Sequence, residues 1–393
     1  MTIARKIRTA MEQSSWIRKM FEEGARLKAQ VGAESVYDFS IGNPNLPPPD
    51  KFSEVLRQTV ESCGLGDHCY MPQSGYPQVC RSIADYLSDE QEMAVTENEV
   101  VMTCGAAGAL NVILKTLLDP GDEVLLTLPV FVDYGAYVDN HGGVPRIVPC
   151  QADFTLDLEA IAQAITAKTK AIIINSPNNP SGQIYSAESL AALGQVLEQG
   201  GRAHGRTIYL ISDEPYRKIV FDGCQVPSIF KAYPESFIAT SYSKDLSIPG
   251  ERIGFAAVNP QAQYKSEIMT GMKLANRILG FINAPALMQR VVACLQGLSV
   301  DISEYLRKRD LLCDGLADAG YDFVKPKGSF YLFPRTPIAD DIEFVRALQQ
   351  EMILTVPGSG FRCPGYFRIA FCVSDDTIIK AMPGFKRVMD KYH

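Results

Sequence analysis

The stretch Ser241-Tyr242-Ser243-Lys244-Asp245-Leu246-Ser247-Ile248-Pro249-Gly250-Glu251-Arg252-Ile253-Gly254-Phe255 places one lysine among hydroxyl residues, with an arginine eight residues on. A lysine amine is a poor nucleophile at its free pKa of roughly 10.4. Beside cationic or apolar neighbours it loses its proton more easily and can form a Schiff base with an aldehyde. Serines and an arginine are the groups that a phosphate ester needs nearby. Together they suggest a phosphorylated aldehyde held covalently at Lys244. The other reading of the same stretch is an exposed turn with a solvated Lys and Arg.

Further residues could complete such a site. Gly105-Ala106-Ala107-Gly108 follows an apolar run and opens a helical one. Free N–H groups at a helix N-terminus bind phosphate without basic side chains, although a tight strand–helix turn reads the same way. Asp213 ends the run Tyr209-Leu210-Ile211-Ser212. A carboxylate there needs a cation or several donors. A protonated pyridine nitrogen would serve and would keep that ring an electron sink; a helix cap or a loop ion pair is the alternative. Asn179, in Asn-Asn-Pro-Ser-Gly, and Tyr216, in Asp-Glu-Pro-Tyr, could donate to a ring oxygen, or be a turn asparagine and a core tyrosine. Phe131 could lie flat on an aromatic ring, or simply be core. Arg368, in Tyr366-Phe367-Arg368-Ile369-Ala370-Phe371, sits within an apolar strand. Such a guanidinium takes a carboxylate in a bidentate fork, either a ligand's or the protein's own.

Strands and helices must hold these residues. From about residue 98 the pattern predicts strands at Val100–Thr103, Glu123–Thr127, Val144–Val148, Ala171–Asn175, Thr207–Ser212 and Phe237–Thr240. Between them it predicts helices at Ala107–Leu117, Phe131–His141, Leu156–Ala167 and Ala187–Gln199. This alternation argues for an α/β fold with a mostly parallel, doubly wound sheet. Near-continuous apolar strands such as Ala171-Ile172-Ile173-Ile174 fit a sheet covered on both faces. Ligands of such sheets gather at the carboxyl ends of the strands, where four of the polar segments fall. An amphipathic helix is expected over 11–31, with Ile17, Met20, Phe21 and Leu27 on one side, and Pro44–Pro49 reads as a link. Past Pro285 the texture predicts helices at Pro285–Leu298 and Ser303–Ala319. Strands are expected at Tyr321–Lys325, Phe330–Phe333 and Phe367–Phe371, in a smaller α+β domain. Gly358-Ser359-Gly360 lacks the third glycine of a dinucleotide fingerprint and is set aside.

Composition narrows the classes. At 393 residues the chain is long enough for two domains. A net charge of -7 with no basic block argues against a nucleic-acid binder. Ten scattered cysteines form no C-x-x-C pair and the four histidines lie far apart, so neither a disulfide framework nor metal-ligand spacing is expected. Residues 1–15 lack the apolar core of a signal peptide, and no apolar run approaches the ~18 residues of a membrane span. A cytoplasmic location is the expectation.

In order and spacing these segments resemble the class I/II aminotransferases, the fold-type I family of pyridoxal-phosphate enzymes. The match includes Gly42-Asn43-Pro44, Tyr70 with Gly75 and Tyr76, Gly105-Ala106-Ala107, Pro129-Val130-Phe131, Asn175 to Gly182, Asp213-Glu214-Pro215-Tyr216, Ser241 to Gly254, Lys327-Gly328-Ser329-Phe330-Tyr331, and Pro357-Gly358 with Arg368. The resemblance implies an aspartate aminotransferase-like fold: an N-terminal arm over 1–44 that joins the small domain, a large cofactor-binding domain over 45–285, and a small domain over 286–393. It implies that pyridoxal 5'-phosphate is bound at Lys244, with Asp213 on the ring nitrogen, Asn179 and Tyr216 on the phenolic oxygen and Phe131 stacked on the ring. Gly105, Ala106, Ala107, Ser241, Ser243 and Arg252 would surround the phosphate, and Tyr70 would reach it from the neighbouring subunit of a homodimer. Arg368 would take the substrate α-carboxylate, with Gly42 against the substrate. The implied activity moves the amino group of an L-amino acid to a 2-oxo acid. β-Elimination at a C–S bond or decarboxylation uses the same cofactor, and a ligand-sensing domain of a regulator uses the same fold. Two departures stand out: Phe131 where many members carry Trp or Tyr, and the segment Phe361-Arg362-Cys363-Pro364. No second arginine for a side-chain carboxylate is identified, so the amino donor stays open.

Overall fold

The computed structural model describes residues 2–12 and 16–392. Two helices, α1 (Arg5–Glu12) and α2 (Trp16–Val31), and a short strand β1 (Tyr37–Asp38) lead to the proline-rich link. Helices α3 (Asp50–Glu61) and α4 (Pro77–Glu90) follow. Then come β2 (Val100–Thr103), α5 (Gly105–Leu117), β3 (Glu123–Thr127), α6 (Tyr134–Asn140), β4 (Val144–Val148), α7 (Leu158–Ala164), β5 (Thr169–Asn175), α8 (Ala187–His204) and β6 (Tyr209–Asp213). After α9 (Ile229–Ala232) the chain forms β7 (Ser236–Ser241) and β8 (Gly254–Val258), then α10 (Lys265–Ile278), α11 (Ala286–Ala293) and α12 (Ile302–Asp318). The C-terminal part holds β9 (Tyr331–Leu332), α13 (Asp341–Gln350), β10 (Ile353–Leu354), β11 (Val356–Pro357), β12 (Phe367–Ala370) and α14 (Asp375–Met389).

Seven strands form one sheet in the order β2-β8-β7-β6-β5-β3-β4. All neighbours are parallel except β8, which runs antiparallel to both β2 and β7. Side chains alternate across the sheet. Leu125, Ile172 and Ile174 enter the core on one face, and Val124, Leu126, Ala171 and Ile173 the core on the other. Coverage on both faces explains the unbroken apolar runs. Strand β4 is one edge of the sheet, and it alone among the seven strands carries exposed residues and a proline.

A third core belongs to the C-terminal part, where β11-β12-β9 form a small antiparallel sheet. Met20 and Phe39 pack into it, and β1 pairs with β10. The N-terminal segment is therefore built into the C-terminal core.

The structure corrects several expectations. The helix predicted over 11–31 is α2, starting at Trp16. Met20 and Leu27 are buried as anticipated, while the side chains of Ile17 and Phe21 lie outside the described residues. Tyr321–Lys325 is not a strand: Tyr321 is buried and donates its hydroxyl to the Phe385 carbonyl at 3.0 Å, but from the chain that follows the segment gains only a single backbone bond, from the Arg335 amide to the Asp322 carbonyl at 2.9 Å, and no ladder. The helix expected from Phe131 begins at Tyr134, which frees Phe131, Val132 and Asp133 to form a loop. Helices α3, α4 and α10 were not anticipated.

Candidate active site

The carboxyl ends of β2, β5, β6 and β7 open into a cavity of about 360 Å³, within the usual range for small-ligand sites. Its wall includes Gly42, Ala106, Ala107, Phe131, Asn179, Asp213, Tyr216, Ser241, Ser243, Lys244, Arg252 and Arg368. All the residues singled out in the sequence thus converge here, except Gly105 and Tyr70. Gly105 lies just beneath Arg252. Tyr70 is 86% exposed and is not part of the wall.

Asp213 ends the buried strand β6. One of its oxygens, Oδ2, accepts from the Tyr134 hydroxyl at 2.5 Å, and the other, Oδ1, is buried without a partner. Burial pushes its carboxyl up to about 7, against the Tyr134 bond that favours the charged form. Its main-chain carbonyl accepts from Asn175 Nδ2 at 2.8 Å, and Asn175 Oδ1 in turn accepts from the Asn179 amide at 2.6 Å. The strand end is thereby fixed while one carboxylate oxygen is left open.

Lys244 follows β7 and is half-buried. Its Nζ donates to the Gly42 carbonyl at 2.9 Å and lies 5.6 Å from the centre of the Phe330 ring. Desolvation lowers its amine to about 8. Near pH 7 roughly a tenth is then unprotonated, against well under a thousandth for a free lysine. Gly42 has no room for a side chain, since a Cβ there would stand 1.8 Å from the Tyr331 hydroxyl.

The neighbours of both residues are held from the far side. Glu214 accepts from Ser212 Oγ at 2.7 Å and pairs with Arg217 at 3.0 Å. Arg217 also pairs with Glu90 at 2.9 Å, and Asp245 pairs with Lys218 at 3.1 Å. Asp213 and Lys244 thus face the cavity with their successors clamped behind.

At the other end, the α5 N-terminus is preceded by Cys104, which makes no side-chain cap. Gly105 takes φ +74°, and a Cβ there would lie 2.8 Å from an Arg252 guanidinium nitrogen. The glycine lets Arg252 lie over the helix end, where Ala106, Ala107, Ser241 and Ser243 also face the cavity. Backbone donors, hydroxyls and a guanidinium on one spot suit a phosphate.

Arg368, on β12, is 2% exposed. One terminal nitrogen donates to Asn179 Oδ1 at 3.1 Å and the other to the Ser40 carbonyl at 2.6 Å, while Nε has no partner. Its plane lies 4.6 Å from the Tyr331 ring centre and 5.0 Å from that of Phe361. Among the described residues no acid contributes to its charge, and burial lowers its pKa. The internal ion pair considered from the sequence is therefore absent among the described residues, and a carboxylate ligand would complete this arginine. The unusual Phe361–Pro364 segment supplies one of the two rings, and the Phe361 carbonyl accepts from the Val130 amide at 3.0 Å.

Two residues were missed from the sequence. Tyr134 opens α6 three positions after Phe131, and its amide donates to the Phe131 carbonyl at 3.2 Å across the turn between them. Tyr331 shares a 3.1 Å hydrogen bond with the Tyr216 hydroxyl.

The sequence profile of the class I and II aminotransferases matches residues 34–383. The chain is 33% identical over 389 residues to an aspartate aminotransferase of Geobacillus stearothermophilus, with 94% of each chain covered. It is 30% identical to an aspartate/prephenate aminotransferase of Thermus thermophilus, with 90% of each covered. Its fold superposes on the crystal structure of an aminotransferase from Eubacterium rectale with a TM-score of 0.97, 37% identity and 100% of both chains covered. An aspartate aminotransferase from Thermus thermophilus with maleate gives 0.87, with 26% identity and 99% of this chain and 100% of that chain covered. The chain belongs to the class I and II aminotransferases, a family of pyridoxal-phosphate enzymes.

The Asp213 environment yields a pH prediction. A carboxyl whose folded pKa is raised contributes stability that is complete below its unfolded pKa and lost as pH rises through the folded one. With about 7 in the fold against 3.8 for the free group, apoprotein carrying Asp213→Asn gains on the wild type between pH 4 and 8, approaching ~4 kcal/mol. Tyr134→Phe removes the donor that favours the charge, so its apoprotein loses more than the wild type over the same range. Urea denaturation of the apoproteins measures both, and a wild-type-to-Asn difference that is flat with pH would contradict the assignment.

Proposed function

We propose that this protein moves the amino group of an L-amino acid to a 2-oxo acid through pyridoxal 5'-phosphate held at Lys244. The observation that carries this is one cavity holding a half-buried amine, an unpartnered carboxylate oxygen and an arginine without an acid. The residues fit the cofactor. The open Oδ1 of Asp213 suits a pyridinium nitrogen, and the α5 N-terminus with Ser241, Ser243 and Arg252 suits a phosphate. When bound, the cofactor supplies an aldehyde that captures amines and a cationic ring that withdraws electrons from the substrate Cα.

The chain's own groups do the rest. Asp213 keeps a proton on the ring nitrogen, because a buried carboxylate is stabilised by the opposite charge. Tyr134 holds that carboxylate by donating its hydroxyl to Oδ2. Asn179 Oδ1 is occupied by Arg368, so its amide nitrogen is available to the phenolic oxygen, beside the Tyr216 hydroxyl. Phe131 stacks on the ring. Arg368 orients the amino acid by its carboxylate, flanked by two rings that exclude water. Lys244, with its amine lowered to about 8, carries the proton between the substrate and the cofactor at working pH.

Residues 1–44 and the C-terminal part act as the small domain, since they share a core. By packing, α11 belongs to the large domain, since Met288, Val291 and Val292 join the core there. The working form is a homodimer in which Tyr70 serves the cavity of a second copy, supported by its exposure and its position outside its own cavity. Ten free cysteines support a reducing, cytoplasmic location, and among the described residues no helix is long and apolar enough to cross a membrane.

Reduction of the yellow holoenzyme with borohydride followed by peptide mapping should mark Lys244, and Lys244→Ala should abolish turnover. A label on any other lysine would sink the assignment. Mixing inactive Lys244→Ala with an inactive Tyr70 variant should restore part of the activity through hybrid dimers. Light scattering that shows an active monomer would end the idea of shared sites.

A further inference from the structure

The cavity wall holds three cations, Lys244, Arg252 and Arg368. On the reading above each is committed: to the cofactor aldehyde, to its phosphate and to the substrate α-carboxylate. Among the described residues no further cation lines the cavity for a second carboxylate. The loop between β3 and α6 instead presents Phe131, Val132 and Asp133 to the cavity. A phenylalanine ring has no polar hydrogen to donate and a valine is apolar, so the one polar side chain in this row is an acid.

Asp133 is engaged only by its neighbour Tyr137. It occupies the N-cap position of α6, yet its side chain makes no capping bond. Its carboxyl is raised above the usual range by desolvation, and the one group that favours its charge is the Tyr137 hydroxyl; no cation contributes. It is a partly desolvated carboxylate on the cavity wall, with the Tyr137 hydroxyl beside it and no cation.

We infer that the site selects amino donors whose side chain carries no carboxylate, and that Asp133 is the residue that turns such a side chain away. A like charge in a low-dielectric cleft is strongly disfavoured. An amide, hydroxyl or ammonium can instead donate to Asp133, and an apolar chain can lie along Phe131 and Val132. This separates the chain from relatives named for aspartate, and from the Thermus thermophilus enzyme crystallised with maleate, a dicarboxylate. The inference rests on the aminotransferase reading of the same cavity.

The test uses the holoenzyme at pH 8. Calorimetry compares succinate with butyrate, which differ by one carboxylate in place of a methyl, and half-reaction rates compare aspartate with asparagine and glutamate with glutamine. Succinate should bind no tighter than butyrate, and each amide should exceed its acid in kcat/KM by about tenfold or more. Asp133→Asn should raise succinate affinity about tenfold and narrow the amide-to-acid ratio by a similar factor. Tighter binding of succinate by the wild type, as a cation supplied by a second copy would give, overturns the inference. So does an unchanged ratio in Asp133→Asn. Alanine separates the two levels: conversion of alanine with aspartate still preferred overturns the specificity alone, and no conversion by any amino acid overturns the aminotransferase reading with it.

Discussion

A carboxylate buried at the end of a strand, with one oxygen bonded and the other open, is an unstable arrangement for a protein on its own. Asp213 is in that state. Its burial disfavours the charge, and only one hydroxyl offsets it. The structure tolerates the deficit because β6 is the middle strand of the sheet, between β5 and β7, and Asn175 and the Glu214–Arg217–Glu90 chain hold the backbone around it. A cationic ring nitrogen would supply what is missing. Binding energy and reactivity would then have one source, since the contact that relieves the carboxylate would also keep the ring electron-poor.

Arg368 shows the same logic at the opposite side of the cavity. It is buried, stacked between Tyr331 and Phe361, and supplied with two acceptors but no acid. Its strand belongs to the C-terminal core, whereas its Asn179 contact lies in the loop that follows β5 of the large sheet. A substrate carboxylate on Arg368 would tie the two parts together across the cavity. Ser40, whose carbonyl accepts from the same guanidinium, comes from the N-terminal segment. Three separate parts of the chain therefore meet on one side chain.

Much of this was legible from residues alone. Lys244, Asp213, Asn179 and Arg368 are polar groups at the ends or interiors of apolar strands, and an apolar strand does not carry such groups without a partner. The alternation of strands and helices gave the sheet, because an apolar run covered on both faces differs from one that alternates. Tyr134 and Tyr331 were not legible. Each is an ordinary aromatic residue, and its partner lies 79 or 115 positions away. The predicted strand at Tyr321–Lys325 failed for a related reason. Its apolar residues fill a core, but a strand also needs a neighbouring backbone, which local pattern does not report. Asp133 falls inside the helix expected from Phe131, and only the fold places it at the start of α6 with a side chain that does not cap.

The central claim is that the open oxygen of Asp213 holds a proton on the cofactor's ring nitrogen. The most direct measurement is the nitrogen-15 chemical shift of holoenzyme loaded with cofactor labelled at that nitrogen, followed from pH 6 to 9. The account predicts a protonated shift throughout for the wild type and an unprotonated one in Asp213→Asn. An unprotonated nitrogen in the wild type at neutral pH, or the same shift in both proteins, would contradict it.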